Sequence, residues 1–316
     1  MNLKRVAEIA NVSVSTASKA LKNSFDVSEE TRRRVIAAAE ECGYFGEKKR
    51  VSSSNKKSSE LTIAVVCPEV ISPFYSAIIE SITSAANKLS YNVVIYNASF
   101  DKARCEKILA SCFKNRSTDA VINLSSHGAN IENKTTPHIC FSKDLANASA
   151  LIADYTEGYR LIKKERPEWK RVCFASESLT ASKAQNFVKV FPDATVLVGD
   201  GRFEDAGRSV AERLIGRPLP DAIVCAYDEI AFGLIDALNK NGISVPKDIE
   251  VVGTNDVATS KWAFGGVSTL CYNLGEIFDE ILLDITEDLK NKSIKKRKYQ
   301  AVPKFIKRGT TKTCRR

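Results

Sequence analysis

Through the first 42 residues apolar positions recur every three to four places, the period of helices that bury one face. Val6, Ile9 and Ala10 predict the inner face of a first helix, and Ala7 is small enough for a second helix to cross closely. Asn11 interrupts the run. Asn tolerates a left-handed backbone better than most residues, so a sharp helix-ending turn is predicted there. Val12 plugs the angle, and Ser13 predicts the cap of a helix from Val14 to Leu21. That helix would bury Ala17, Ala20 and Leu21 and turn Val14, Ser15, Ser18 and Lys19 outward. A third helix is predicted after Ser28 as its cap, with Glu29 and Glu30 in its first turn and Val35, Ala38, Ala39 and Cys42 inward, ending at Gly43.

The pattern then changes. Residues 46–60 are rich in Lys, Ser and Asn, with Val51 the lone apolar position, which predicts a flexible tether. From Leu61 apolar β-rich runs alternate with helical stretches. Leu61–Cys67 lacks two-residue alternation, as a strand covered on both faces should. Strands are expected at Tyr91–Tyr96, Ala120–Leu124, His138–Phe141 and Leu151–Ala153, then at Val172–Ala175, Thr195–Val198, Ile223–Cys225, Val251–Thr254 and Thr269–Cys271. Helices are expected between them, among others over Phe74–Leu89, Ala181–Val190, Glu229–Lys240 and Glu276–Leu289. This alternation predicts parallel sheets flanked by helices, in two similar halves. Open parallel sheets bind ligands beyond the carboxyl ends of their strands, so two facing lobes make a cleft.

Charge sharpens the division. Residues 1–60 carry a net +4 and residues 290–316 carry +12 with no acid, which leaves −7 on the body between them. A basic amino-terminal unit fits phosphate contact. The basic carboxyl end is read as solvated loops around a last strand. Nine cysteines, without a CxxC pair, are scattered from Cys42 to Cys314, which is free-thiol usage in a reducing compartment. No signal peptide and no membrane-spanning run is read, so a cytoplasmic location is expected. His127 and His138 have neither the spacing nor the acidic company of a metal site. No nucleophile elbow, dinucleotide loop or phosphate loop is present, so neither a catalytic residue nor a cofactor is expected.

Small, hydroxylated and basic side chains on an exposed helix suit a DNA major groove, where they reach base edges or a thymine methyl. A helical hairpin with a merely solvated face has the same pattern. Longer motifs favour the first reading. Val6-Ala7-Glu8-Ile9-Ala10, Val12-Ser13-Val14-Ser15-Thr16, Ser18-Lys19, Val27-Ser28 with Thr31-Arg32, and Gly43-Tyr44 resemble the headpiece of the lactose-repressor (LacI) family of bacterial transcription regulators. The resemblance implies DNA contacts by Val14, Ser15, Thr16, Ser18, Lys19 and Ser28, with Val14, Ser15 and Lys19 in base-reading positions. Asn11, Ala17 and Lys19 stand where the family usually has Gly, Val and Arg. In that family the linker folds on DNA and wedges a leucine into the minor groove; here the position falls on Ser53 or Asn55, and Lys48, Lys49, Arg50, Lys56 and Lys57 are offered to phosphates instead.

Further along, Ser72-Pro73-Phe74-Tyr75, Ala226-Tyr227-Asp228 with Ala231-Phe232-Gly233, and Val252-Gly253-Thr254-Asn255-Asp256 resemble the family's core, itself similar to periplasmic sugar-binding proteins. The expected architecture is an all-α helix-turn-helix headpiece (1–45), a hinge or linker (46–60) and a two-lobed α/β effector-binding and dimerisation core with parallel sheets (61–316). The first lobe would hold about 61–154 and 273–299, the second about 155–272 and 300–316. Carry-over by position implies effector contacts by Ser72, Phe74, Asp154, Lys183, Arg202, Tyr227, Asp228 and Asn255. Lys183 and Arg202 would make the cleft less acidic than usual, so a sugar or sugar derivative with an acidic or phosphorylated group is one expectation. A degenerate cleft is the other, since Ser125–Pro137 and Phe191–Ala194 are short for this fold. The implied partners are an operator in double-stranded DNA, a small-molecule effector and a second copy of the chain, with no membrane. A solute-binding protein, a regulator governed by a protein partner and an enzyme on the same scaffold are the rivals.

Overall fold

The computed structural model describes residues 3–21, 27–42, 61–114, 118–141 except 126, 129, 130, 132 and 134, 148–272, and 274–313. Lys48, Lys49, Arg50, Ser53, Asn55, Lys56 and Lys57, with Gly43 and Tyr44, lie outside the described residues. The chain divides into two compact units, residues 1–59 and 60–316.

The first unit contains α1 (Leu3–Ile9), α2 (Val14–Leu21) and α3 (Glu29–Glu41). Its core is built from small and branched side chains: Val6, Ala7, Ala10, Ala17, Ala20, Val35, Ala38 and Ala39 are all buried. Ile9, expected inside, is 36% exposed, and Ala7 takes its place. Leu3, Val6, Ala7 and Ala10 form the i, i+3, i+4, i+7 stripe, and Ile9 falls just off its edge. Asn11 adopts φ 51°, the left-handed turn its side chain favours.

The second unit alternates strand and helix as its periodicity requires. In chain order it runs β1 (Thr62–Cys67), α4 (Pro73–Lys88), β2 (Asn92–Asn97), α5 (Lys102–Lys114), β3 (Ala120–Asn123), β4 (His138–Cys140), β5 (Ser149–Ala153) and α6 (Tyr155–Glu165). There follow β6 (Val172–Ser176), α7 (Ala181–Val188), β7 (Thr195–Val198), α8 (Glu204–Glu212), β8 (Ala222–Cys225), α9 (Asp228–Lys240), β9 (Glu250–Thr254) and β10 (Ser268–Tyr272). The chain ends with α10 (Leu274–Asn291), β11 (Lys298–Ala301) and β12 (Pro303–Ile306). Two six-stranded sheets result, ordered β11-β5-β4-β3-β1-β2 and β12-β10-β9-β8-β6-β7. The five leading strands of each lobe repeat one order, edge strand second in sequence. Among the described residues all pairings are parallel but one: β12 runs antiparallel to β10, Leu270 opposite Phe305. It arrives straight from β11 with only Val302 between, too short for the helical crossover a parallel pair needs.

Close helix packing explains one motif glycine. A Cβ on Gly233 of α9 would overlap the Glu204 carbonyl at the start of α8, so only glycine lets these helices meet. The chain passes between lobes three times: after β5, after β10 and after β11. Among the described residues no helix is long and apolar enough to cross a membrane.

Candidate functional site

In the helical unit, α2 is fixed from behind and presented in front. Ser13 caps it: its Oγ accepts the Thr16 N–H at 3.0 Å and lies 2.8 Å from the hydroxyls of Ser15 and Thr16. Ala17 and Ala20 are buried against α1 and α3, while Val14 (44% exposed), Ser15 and Lys19 face out. Thr16 and Ser18 are half-buried at the margins. Ser28, nominated for DNA contact, is exposed but its Oγ also caps α3, accepting the Thr31 N–H at 3.3 Å. The outward set combines a methyl-bearing, a hydroxyl and an ammonium side chain on one rigid helix, which can contact bases in a major groove.

In the core, a cavity of about 210 Å³ opens where the strand ends of the two lobes meet. The first lobe supplies Ser72, Phe74 and Tyr75 after β1, Ser125 and His127 after β3, and Phe141 after β4. The second supplies Tyr155 at the start of α6, Thr180, Ser182 and Lys183 around the start of α7, and Tyr227 after β8. Lys183 is 8% exposed; its Nζ donates to the Ala226 carbonyl at 2.8 Å and sits 4.7 and 4.5 Å from the ring centres of Tyr155 and Tyr227. Burial pushes this amine down to about 7, although Glu229, Asp228 and Glu177 pull the other way.

Of the residues nominated by resemblance, Ser72, Phe74, Lys183 and Tyr227 thus share one cavity wall. Asp154, Arg202, Asp228 and Asn255 are absent from the described wall, each for a visible reason. Asp154 caps α6, accepting the N–H groups of Thr156 and Glu157 at 3.1 and 3.3 Å. Asp228 is fully buried and accepts from Thr269 Oγ1 at 2.6 Å and the Val257 N–H at 2.8 Å. Burial pushes its carboxyl up to about 6 against those hydrogen bonds. Gly253 makes room for it, since a Cβ there would overlap the carboxylate. Asn255 sits at φ 104°, with both side-chain amide atoms buried and without a partner among the described residues.

Arg202 corrects the expected charge of the cleft. It spans the lobes and binds Glu69, beyond β1, in a fork: Nη1 to Oε2 at 2.7 Å and Nη2 to Oε1 at 3.0 Å. Its Nε lies 3.5 Å from Glu177 Oε1, and the guanidinium stacks 4.4 Å from the Phe203 ring centre. The bonds to Glu69 raise its already high pKa further. With two carboxylates beside it, this cation adds no net positive charge to the cleft. Sequence reasoning missed Glu69, Tyr75, Phe141 and Tyr155. Three of them lie within three residues after a strand end, where a search of every post-strand position would have found them.

Residues 2–46 match the model of the bacterial regulatory proteins, lacI family, and residues 178–311 match a periplasmic binding protein-like domain. The HTH-type transcriptional regulator RegA of Clostridium acetobutylicum is 28% identical, over 90% of this chain and 92% of its own. The HTH-type transcriptional repressor CytR of Escherichia coli K12 is 26% identical, over 98% and 96%. In fold, the chain is similar to the lac repressor dimer bound to operator and the anti-inducer ONPF, with a TM-score of 0.69 and 21% identity, covering 98% of this chain and 99% of that one.

Proposed function

The chain belongs to the lacI family of bacterial regulatory proteins, and from that premise we propose that it is a sequence-specific transcriptional repressor that binds operator DNA as a dimer and responds to a small molecule held between its core lobes. One observation carries the reading: α2 is capped by Ser13, backed by buried alanines and turns Val14, Ser15 and Lys19 outward as a rigid reading face. Two such faces in a dimer would read half-sites of a pseudo-palindrome one helical turn apart, about 34 Å.

Two further features support it. The edge strand β2 exposes Val94 and Ile95, and Ile71, between β1 and α4, is 75% exposed; an apolar sheet edge of this kind calls for a cover, and a second copy is the occupant we assign. The interlobe cavity, lined by residues that follow the strands of both lobes, is placed so that a ligand's affinity depends on lobe closure. A ligand with different affinity for two closure states shifts their populations, and with them DNA affinity. Its named relatives are transcriptional regulators, and we assign no catalytic step.

The test is selection of bound DNA from a random library by the full-length protein without added ligand. An enriched inverted repeat is expected. A folded, dimeric protein that enriches nothing would overturn the reading of a repressor competent without ligand.

A further inference from the structure

We propose that the interlobe cavity takes a small planar monoanion, an aromatic or heteroaromatic carboxylate, with its ring among the aromatic side chains and its carboxylate on Lys183. This rests on the reading above that a small molecule occupies the cleft, and adds what kind.

Size comes first. At about 210 Å³ the cavity is below the range of about 300–1,000 Å³ typical of drug-sized ligands, so it suits one ring rather than a disaccharide. Its walls come next. Phe74, Tyr75, Phe141, Tyr155 and Tyr227 offer ring faces and edges from both lobes, which favour a flat π-system over a polyol. Hydroxyl groups of a sugar need strong acceptors. The described wall holds neither carboxylate nor carboxamide, because Asp154 and Asp228 are committed to backbone and threonine donors elsewhere.

Donors, by contrast, are in excess. Lys183 has three N–H groups and spends one on the Ala226 carbonyl. The hydroxyls of Tyr75, Tyr155 and Tyr227 have no hydrogen-bond partner among the described residues. Charge then sets the valence. Lys183 faces Tyr155 from α6, Tyr227, Asp228 and Glu229 from the start of α9, Glu177 after β6, and the opposite wall with Tyr75 and His127. With three carboxylates already in its field, of which Arg202 pairs with Glu177 alone and spends its fork on Glu69, the single Lys183 cation can neutralise one further negative charge, and a dianionic phosphate is opposed.

A carboxylate on Lys183 would hold the amine protonated. Above pH 7 the empty site's amine has largely lost its proton, so binding takes one up and weakens as pH rises from 7 to 9. The experiment is calorimetry on the full-length protein with benzoate and nicotinate, their neutral amides benzamide and nicotinamide, and D-glucose. Each carboxylate should bind roughly tenfold or more tightly than its amide at pH 7, the margin of one charge-assisted hydrogen bond. That margin should shrink by pH 9. Lys183→Met should reduce benzoate to the affinity of benzamide without weakening benzamide; if this variant fails to fold, the pH profile of the unmodified protein decides the same question. Equal binding of acid and amide, binding of glucose alone, or no binding by any probe overturns the ligand class. The effector reading fails separately, if a metabolite extract leaves affinity for the selected operator unchanged.

Discussion

Lys19 is the residue on which sequence recognition turns most directly. It projects from the exposed face of α2, one turn after Ser15, and an ammonium there donates to a base edge as a point charge. Lys19→Ala should therefore cost about 1–3 kcal/mol on the preferred operator and relax selection at a single base pair. Lys49→Ala should weaken all sequences alike and flatten the salt dependence. Titration of both variants against operator and scrambled DNA checks this; uniform losses in both would remove Lys19 from base reading. His138 makes a prediction of another kind. It is 3% exposed on β4, its ring nitrogens have no partner among the described residues, and burial pushes it down to about 4. The unfolded imidazole takes a proton near pH 6.5, the folded one only near 4. Stability is therefore fully present above about 6.5 and is lost as pH falls from there towards 4. His138→Leu should lessen this loss, measured by urea melts at pH 7 and pH 5. At this scale the outward face of α2 was legible in the sequence, because helical period alone tells which side chains share a side. Arg202 was not: its meaning lies in Glu69, 133 residues earlier, and no local pattern announces that pairing.

At the scale of elements, the turn between α1 and α2 carries the headpiece geometry. Asn11 at φ 51° and the cap of Ser13 set the angle at which α2 is presented. Ser13→Ala removes the cap and should cost about 0.5–2 kcal/mol of headpiece stability, seen as a lower melting temperature of the helical unit and weaker operator binding. Between lobes, the element of interest is the Glu69–Arg202 fork. Exposed ion pairs contribute ~0.2–1 kcal/mol; with Glu69 only 8% exposed, removing one partner of this pair should cost more than that, because the other charge is left uncompensated. Glu69→Gln should loosen closure, read as a larger radius of gyration of the ligand-free protein in small-angle scattering. An unchanged radius would mean the fork follows closure without holding it. Strands and helices were readable from apolar spacing, and so was their grouping in two halves. The cavity wall was not, since Tyr75, Phe141 and Tyr155 come from the first turn of α4, the end of β4 and the first turn of α6, and periodicity does not say which of these ends converge.

For the whole molecule, the equivalent edges of the two sheets matter. β2 and β7 occupy the same place in their lobes, and both expose apolar side chains: Val94 and Ile95 on one, Val198 on the other. Ile95→Asp should shift the protein towards monomer in sedimentation at micromolar concentration and lower operator affinity at unchanged cavity binding. The order of strands adds something different. Each lobe is closed by a strand from the far end of the chain, β11 in one and β12 in the other, with three passages between them. The helical unit is joined by a single stretch of chain. A gene for such a protein can acquire a new operator preference by one recombination event near codons 43–60. Exchanging one lobe for another's would need three coordinated junctions. Descendants of this sequence should therefore change the DNA they read by shuffling, and the ligand they sense by point substitution along the cavity wall.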